Sequence, residues 1–396
     1  MTSTAHASHG QADPVAPAER WTIVEAPHPE TPGGHGSWGY EGRCAVERVV
    51  EQRLWGWTDL SFRPTDVHEK WSHQQYVRRV LLLALPAGAD PASSDRAPGD
   101  VLGFAGVELP LAGNTHLVEA GVVVHPDLAP QDRRDLAEAL LVRVEQIADA
   151  AGRRTVLAYS EHAPEPPVGP GAIQAPTGSG RVPVDDLEAR IALDHGYALE
   201  QVERYSALQM RPDGSDRGAH RALAHVAAAR AGDGYVVRTW HDDVPRESLA
   251  GLAHLQTRMS TDAPAGGLEI TEDPWDEARF ADRLAGWRRR GFGFLISAAE
   301  HVATGTLAAF TVLTYPLDEP EFAFQEDTLV LVEHRGRNLG MLVKTANLDA
   351  LAEHRPGTRR IHTWNAQENG PMLDINVALG FAPVGVVALW QKHLDG

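Results

Sequence analysis

The chain has 396 residues, of which 43% are apolar, enough for two domains that each bury a core. A formal net charge of −18 and a single cysteine, Cys44, set aside general nucleic-acid binding, an intrachain disulfide framework and a cysteine-rich zinc site. No run of ~20 apolar residues is present, so no membrane span is expected, and cytoplasmic residence is the default for a chain so poor in thiols.

Residues 1–19 are polar, rich in Pro, Ala and His, and lack an apolar h-region; they read as a disordered tail, not a secretory signal or transit peptide. Residues 21–24 read as a strand and 43–54 as a helix. Residues 78–85 are strand-like, a loop follows over 86–100, and 101–109 and 117–125 read as further strands of an antiparallel run. Between 135 and 151, Leu136, Leu140, Val144 and Ile147 share one helical face, and Gly152 stops the helix. A short strand at 155–159 precedes a long Pro- and Gly-rich loop, 161–184. A helix at 185–194 leads to His195-Gly196-Tyr197, and a strand at 201–210 closes this half. Cys44 reads as a small buried hydrophobe, and Trp55, Trp57 and Trp71 as core aromatics with a pocket wall as the alternative.

Residues 211–218 form the linker candidate. After an Ala-rich helix at 220–231 the order restarts: a strand at 236–240, helices at 247–258 and 275–289, and strands at 292–298 and 306–314. A strand at 327–332 then feeds a helix at Gly336, followed by a strand at 360–364, a helix at 371–379 ending in Gly380-Phe381, and a strand at 386–391. The repeated order predicts an α/β (α+β) fold of two tandem units, each a mixed, mostly antiparallel sheet flanked by helices. The expected boundaries are a tail 1–19, a first domain 20–210, a linker and helix 211–234, and a second domain 235–396.

The chemistry-bearing stretch is 328–340. An apolar strand stops, turns through Arg335, Gly336, Arg337 and Asn338, and opens a helix at Leu339-Gly340. The first amides of a helix have no intrahelical partner, and its dipole adds positive charge there, which suits a pyrophosphate. Small residues let the backbone approach the anion, and the arginines add charge that phosphates pair with. Downstream, Asn369 precedes a helix that ends in Leu379-Gly380-Phe381.

Together these two motifs resemble the coenzyme-A signature and the later motif of the GCN5-related N-acetyltransferases (GNAT), and the Ala- and Arg-rich usage fits the actinobacterial tandem type. The resemblance implies two acyl-CoA N-acyltransferase domains, with acetyl-CoA or another acyl-CoA as co-substrate and no metal. Arg335 fits the first signature position and Gly340 the last, while Asn338 replaces the inner Gly; an Asn tolerates the left-handed turn better than most residues. The resemblance further places Gly336, Arg337, Asn369 and the backbone of Val330 and Val332 along the coenzyme. Asn376 stands where many members carry a Tyr general acid. A carboxylate on the fourth strand is often the base, which points to Glu326 and Asp327. Strand alternation sends the two to opposite faces, with Glu326 sharing a face with Thr328 and Val330. Asp262, in a helix-to-loop segment, is the candidate to hold the acceptor amine.

In the amino half the corresponding positions are Asp132 and Asp135, which repel phosphate, so that half reads as a degenerate copy. The expected function is acyl transfer from acetyl-CoA to a primary amine of a small molecule; the acidic surface would attract a cationic acceptor, or serves only to keep the protein in solution. The alternatives are a non-catalytic acyl-CoA-binding or protein-interaction module, and acyl transfer to a hydroxyl or thiol. No nucleic-acid or membrane partner is expected. The chain is expected to be a monomer whose halves form a pseudo-dimer, or a homodimer.

Overall fold

The computed structural model describes residues 20–90, 93, 96–211 and 213–394; the expected tail, 1–19, lies outside them. The amino half runs β1 (Trp21–Glu25), α1 (Trp38–Leu54), α2 (Pro64–Ser72), β2 (Val77–Pro86), β3 (Gly103–Pro110), β4 (Leu117–Val124), α3 (Pro130–Ala150) and β5 (Thr155–His162). A small hairpin of β6 (Ala172–Gln174) and β7 (Arg181–Pro183), then α4 (Leu187–Asp194) and β8 (Ala198–Gln209), complete it. The carboxy half opens on α5 (Arg217–Ala231) and continues with β9 (Tyr235–His241), α6 (Arg246–Asp262), α7 (Glu277–Arg289), β10 (Phe292–His301), β11 (Thr306–Pro316) and β12 (Phe322–Val330). It ends with α8 (Leu339–His354), β13 (Arg360–Ala366), α9 (Gly370–Leu379) and β14 (Ala382–His393).

Twelve strands form one sheet in the order β1-β2-β3-β4-β5-β14-β8-β13-β12-β11-β10-β9. Exchanging β1–β5 and β8 for β9–β13 and β14 leaves that order unchanged, so the sheet has a pseudo-two-fold axis between β14 and β8. Each half gives its last strand to the other: β14 pairs with β5 over Val386–His393, and β8 pairs with β13 over Glu203–Gln209. Most pairs are antiparallel; β4–β5 and β12–β13 are parallel.

Alternation feeds two cores per half, because successive side chains of a strand point to opposite faces. On β2, Val80, Leu82 and Ala84 pack under α3 and α4, while Leu81, Leu83 and Leu85 pack under α1. In the carboxy half the α8 face buries Leu313, Leu342 and Val343, and the α6–α7 face buries Phe280, Phe294 and Phe310. Cys44 is fully buried beneath α1, as its hydrophobic reading expects.

Three departures from the predicted elements have physical reasons. The short helix α2 escapes a periodicity search because Val67 and Trp71 are its only large apolar residues; Pro64 in its first turn and the Asp66 carboxylate accepting from Arg63 N at 3.0 Å start it. Helix α3 begins at Pro130, five residues before the expected start, since proline needs no amide partner there. The expected loop at 161–184 contains the last two residues of β5 and the β6–β7 hairpin.

Candidate functional site

Strand β12 stops at Val330, and residues 332–334 form a 3-10 turn, so Val332 is off the strand with an exposed side chain. The backbone then passes through Gly336 at φ 81° and Asn338 at φ 60°, ψ 25° before α8 opens at Leu339, three residues later than Gly336. Asn338 thus adopts the left-handed conformation that its side chain tolerates. Arg335 donates from Nε to the Val330 carbonyl at 3.1 Å and from Nη2 to the Asp262 carbonyl at 3.3 Å. Arg337 is exposed and donates to the carbonyls of Glu333 and Arg335. A Cβ on Gly340 would lie 3.0 Å from Ile375 of α9 and 3.7 Å from Val330, so this glycine sets how closely the turn packs on its neighbours. Strands β12 and β13 pair only over Phe322–Phe324 and then separate, which opens a cleft at the foot of α8. Asn369 caps α9, accepting from Met372 N.

The register of β11 against β12 shifts between Thr311 and Leu313, inserting one extra residue in β12 at Glu326–Asp327. Gln325 and Thr328 both bond the Thr311 hydroxyl, so residues three apart share a face. The bulge therefore overturns the expected alternation: Glu326 does not share a face with Thr328. Thr314 Oγ1 donates to Glu326 Oε1 at 2.8 Å, and Arg283 pairs with Asp327 at 2.8 Å. Glu326 is open to solvent at the base of a concave wall; the surrounding protein pushes its carboxyl up, against the opposing pull of Arg283.

A cavity of about 180 Å³ in front of Glu326 is walled by Phe292, Phe322 and Phe324 from the carboxy half and by Asp59, Phe62 and Arg63 from the amino half. Its amino-half wall is pinned to β13. Arg360 makes a bidentate pair with Asp59 at 2.6 and 2.9 Å, His362 lies 2.9 Å from the same carboxylate, and Tyr205 lies 2.8 Å from His362. Asp262, by contrast, is buried against Arg258 with Arg335 4.0 Å away, so its carboxylate is already engaged.

Asn376 is buried and engaged: its amide donates to Asn365 at 2.6 Å, and its carbonyl accepts from Lys344 at 3.0 Å. Sequence reasoning passed over Lys344. It is 1% exposed on α8, and burial pulls its amine down to about 7. A lysine directly after the apolar first turn of α8, Leu339 to Val343, was the available signal.

In the amino half β4 and β5 part beyond Gly121, and a cavity of about 610 Å³ opens there. Asp132 and Asp135 lie in the first two turns of α3, not in a loop, and Arg20 pairs with both. Among the described residues no cluster of His, Cys, Asp and Glu is disposed to hold a metal ion, and no helix is long and apolar enough to cross a membrane.

No protein-family model and no curated protein matches the sequence. Solved structures do match. A tandem GNAT protein from the clavulanic acid biosynthesis pathway superposes with a TM-score of 0.67 at 22% identity, covering 95% of this chain and 99% of that one. The fold is that of a tandem GNAT protein. A GCN5-related N-acetyltransferase from Sphaerobacter thermophilus matches with a TM-score of 0.53 at 12% identity, over 96% of this chain and 97% of its own. Within the tandem GNAT fold, the cleft between β12 and β13 in the carboxy half and that between β4 and β5 in the amino half are equivalent by the pseudo-two-fold, and their surroundings differ. The carboxy cleft has the glycine-bearing turn and exposed arginines; the amino cleft has a shorter turn and acidic walls.

Proposed function

We propose that this chain is an acyl-CoA-dependent N-acyltransferase, transferring an acetyl group to a primary amine, with its working site in the carboxy half. The observation that carries this reading is the turn from Val330 to Gly340. Two left-handed residues bring uncapped α8 amides to the mouth of an opened strand pair, with Arg337 exposed beside them. Pyrophosphate would lie against the amides of α8 and Arg337, and Arg335 would hold the turn through Val330.

The acceptor arrives as an alkylammonium with a pKa near ~10 and must lose a proton before attack. Glu326, raised by the surrounding protein and facing the cavity, takes that proton. The freed nitrogen attacks the thioester carbonyl carbon, a C–N bond forms, the C–S bond breaks, and the thiolate leaves with the electron pair. Thiols ionise near ~8.5, so solvent can reprotonate it and no Tyr is required at the position of Asn376. The single chain supplies both halves of the two-fold, and a monomer is the expected species.

A second reading, a non-catalytic acyl-CoA-binding module, is favoured by one observation: Arg335 is tied back onto Val330 and Asp262. Thermal unfolding with acetyl-CoA, followed by thiol release with a panel of amines, separates the two. Acetyl-CoA should stabilise the wild-type chain and not Gly340→Trp, whose ring cannot fit between Ile375 and Val330. Wild-type affinity in that variant would remove the assignment, and binding without thiol release would favour the module.

A further inference from the structure

The two cavities are neighbours. Leu60, Phe62 and Phe324 line both the one in front of Glu326 and the larger one in the amino half, so the two meet at an apolar waist. The sheet beneath is continuous. His362 is the cross-strand partner of Phe324, and Trp364 that of Tyr205; Glu161 is aligned with Val387 and Glu203 in one row. Cross-strand partners share a face, and the Tyr205 ring stacks on Trp364 at 5.0 Å, so one face runs from Glu326 through aromatic rings to Glu161. From β12 to β5 is four strand spacings, roughly 19 Å.

The far end is short of cations. Together the two cavities are lined by nine carboxylates and four arginines. Glu51 lines the larger cavity, is 5% exposed, and has one hydrogen bond, from Ser61 Oγ at 2.8 Å. Among the described residues no cation pairs with Glu51 or with Glu161. Of the arginines nearby, Arg43 is committed to Glu47 and Arg53 to Asp127, while Arg133 lines the cavity from α3 on the Glu188 side and makes no ion pair among the described residues. Burial, with Glu47 adding repulsion, pushes Glu51 up to about 9; the surrounding cavity wall and Glu47 push the more open Glu161 up to about 7. Glu51 is a buried carboxylate lacking a cation, which is costly, and a cation supplied by a ligand relieves that cost; Glu161 is exposed and lines the same cavity.

We propose that the acceptor is an elongated dication, an α,ω-diamine or linear polyamine, lying across both halves with its reacting amine at Glu326, its chain through the Leu60–Phe62–Phe324 waist, and its second ammonium held by Glu51 and Glu161. This rests on the acyltransferase reading for the reacting end only. The amino half then contributes to the site as the receptor for the acceptor's tail, which is a use for a cleft whose acidic walls repel a coenzyme. Its carboxylates set the length and charge of what is acylated.

The test is isothermal titration calorimetry without acyl-CoA, using diamines from 1,4-diaminobutane to 1,12-diaminododecane and monoamines of equal length. Affinity should rise along the diamine series to an optimum, where the diamine binds at least tenfold more tightly than its matched monoamine. Repeating the titration in buffers of different ionisation enthalpy should show proton release on diamine binding, because the ammonium draws Glu51 and Glu161 back down. In Glu161→Gln and Glu51→Gln the diamine-to-monoamine ratio should fall toward one, and in Leu60→Trp the length optimum should vanish. A ratio fixes its own baseline, so a partly destabilised variant still reports. Equal affinity of diamines and monoamines in the wild type, or an unchanged ratio in Glu161→Gln, overturns the proposal. Failure of thiol release with every amine would sink the acyltransferase reading and leave the binding result standing.

Discussion

At the scale of single residues, Glu326 and Lys344 carry opposite electrostatic burdens. The protein around its concave wall raises Glu326, so it gives up its proton only at a higher pH than an ordinary carboxylate and acts as a base only above that point. Turnover should therefore rise with pH through the raised pKa. Glu326→Gln should lower kcat by roughly tenfold to ten-thousandfold without weakening acetyl-CoA binding, and the deficit should shrink at high pH as free amine becomes abundant. Asp327, neutralised by Arg283, should matter less. Steady-state rates from pH 6 to 10, the range of interest being roughly that of the amine and carboxyl pKa values, decide it; wild-type kcat in both Glu326→Gln and Asp327→Asn would exclude these carboxylates. For Lys344 the folded value is about 7, against ~10.4 unfolded. Between the two the unfolded chain holds the extra proton, so stability rises with pH there, by up to ~1.36 kcal/mol per unit. The cost of the buried ammonium is fully present below pH ~7 and relieved toward ~10. Lys344→Met should flatten that slope in denaturant unfolding measured across the window, and an unchanged slope would mean that Lys344 is not the group responsible.

At the scale of elements, the turn into α8 shows what sequence can and cannot convey. The strand–turn–helix, the place of Gly340 and the left-handed tolerance of Asn338 were legible, because each depends on local backbone chemistry. The bulge at Glu326–Asp327 was not, since an extra residue in a ladder is defined by the partner strand β11 and leaves no local mark. For Asp262 the i,i+4 pairing with Arg258 on the same helix was within reach of the sequence, while the approach of Arg335 from 73 residues away was not. The amino-half wall of the acceptor cavity depends on Asp59 meeting Arg360 and His362 from 301 and 303 residues away in sequence. Asn338 gives the element-scale prediction. Asn338→Ala places a Cβ in the left-handed region without a polar side chain to offset it, and should cost about 1 kcal/mol with a matching loss of acetyl-CoA affinity. Asn338→Gly should keep both. Thermal unfolding and titration on the pair check this, and wild-type stability in Asn338→Ala would mean that the turn relaxes without cost.

At the scale of the whole molecule, the sequence repeats as two units while the sheet is built as one. Both crossed strands stand at the centre: β14 lies between β5 and β8, and β8 between β14 and β13. A cut within 211–218 follows the linker chemistry and still leaves neither piece with a complete sheet. The amino piece keeps β5 and β8 with a strand-wide gap between them, so the ladders that β14 makes with both are lost. The carboxy piece keeps β14 but not its partners, and β13 loses the seven-residue ladder with β8. Each exposes long, apolar, unpaired edges, including Val386, Ala388 and Trp390, the conditions under which strands pair with other chains. The half-buried Asp59–Arg360 pair is also split, leaving a carboxylate in one piece and an arginine in the other without their partners. Expressed separately, the two pieces should be insoluble or molten. Co-expressed, they should assemble one to one, because each offers the strand that the other lacks. Circular dichroism and gel filtration of each piece, alone and together, test this. A carboxy piece that is monomeric alone and unfolds cooperatively, with β14 folded back beside β13, would show that the strand exchange is dispensable and that the halves are independent domains.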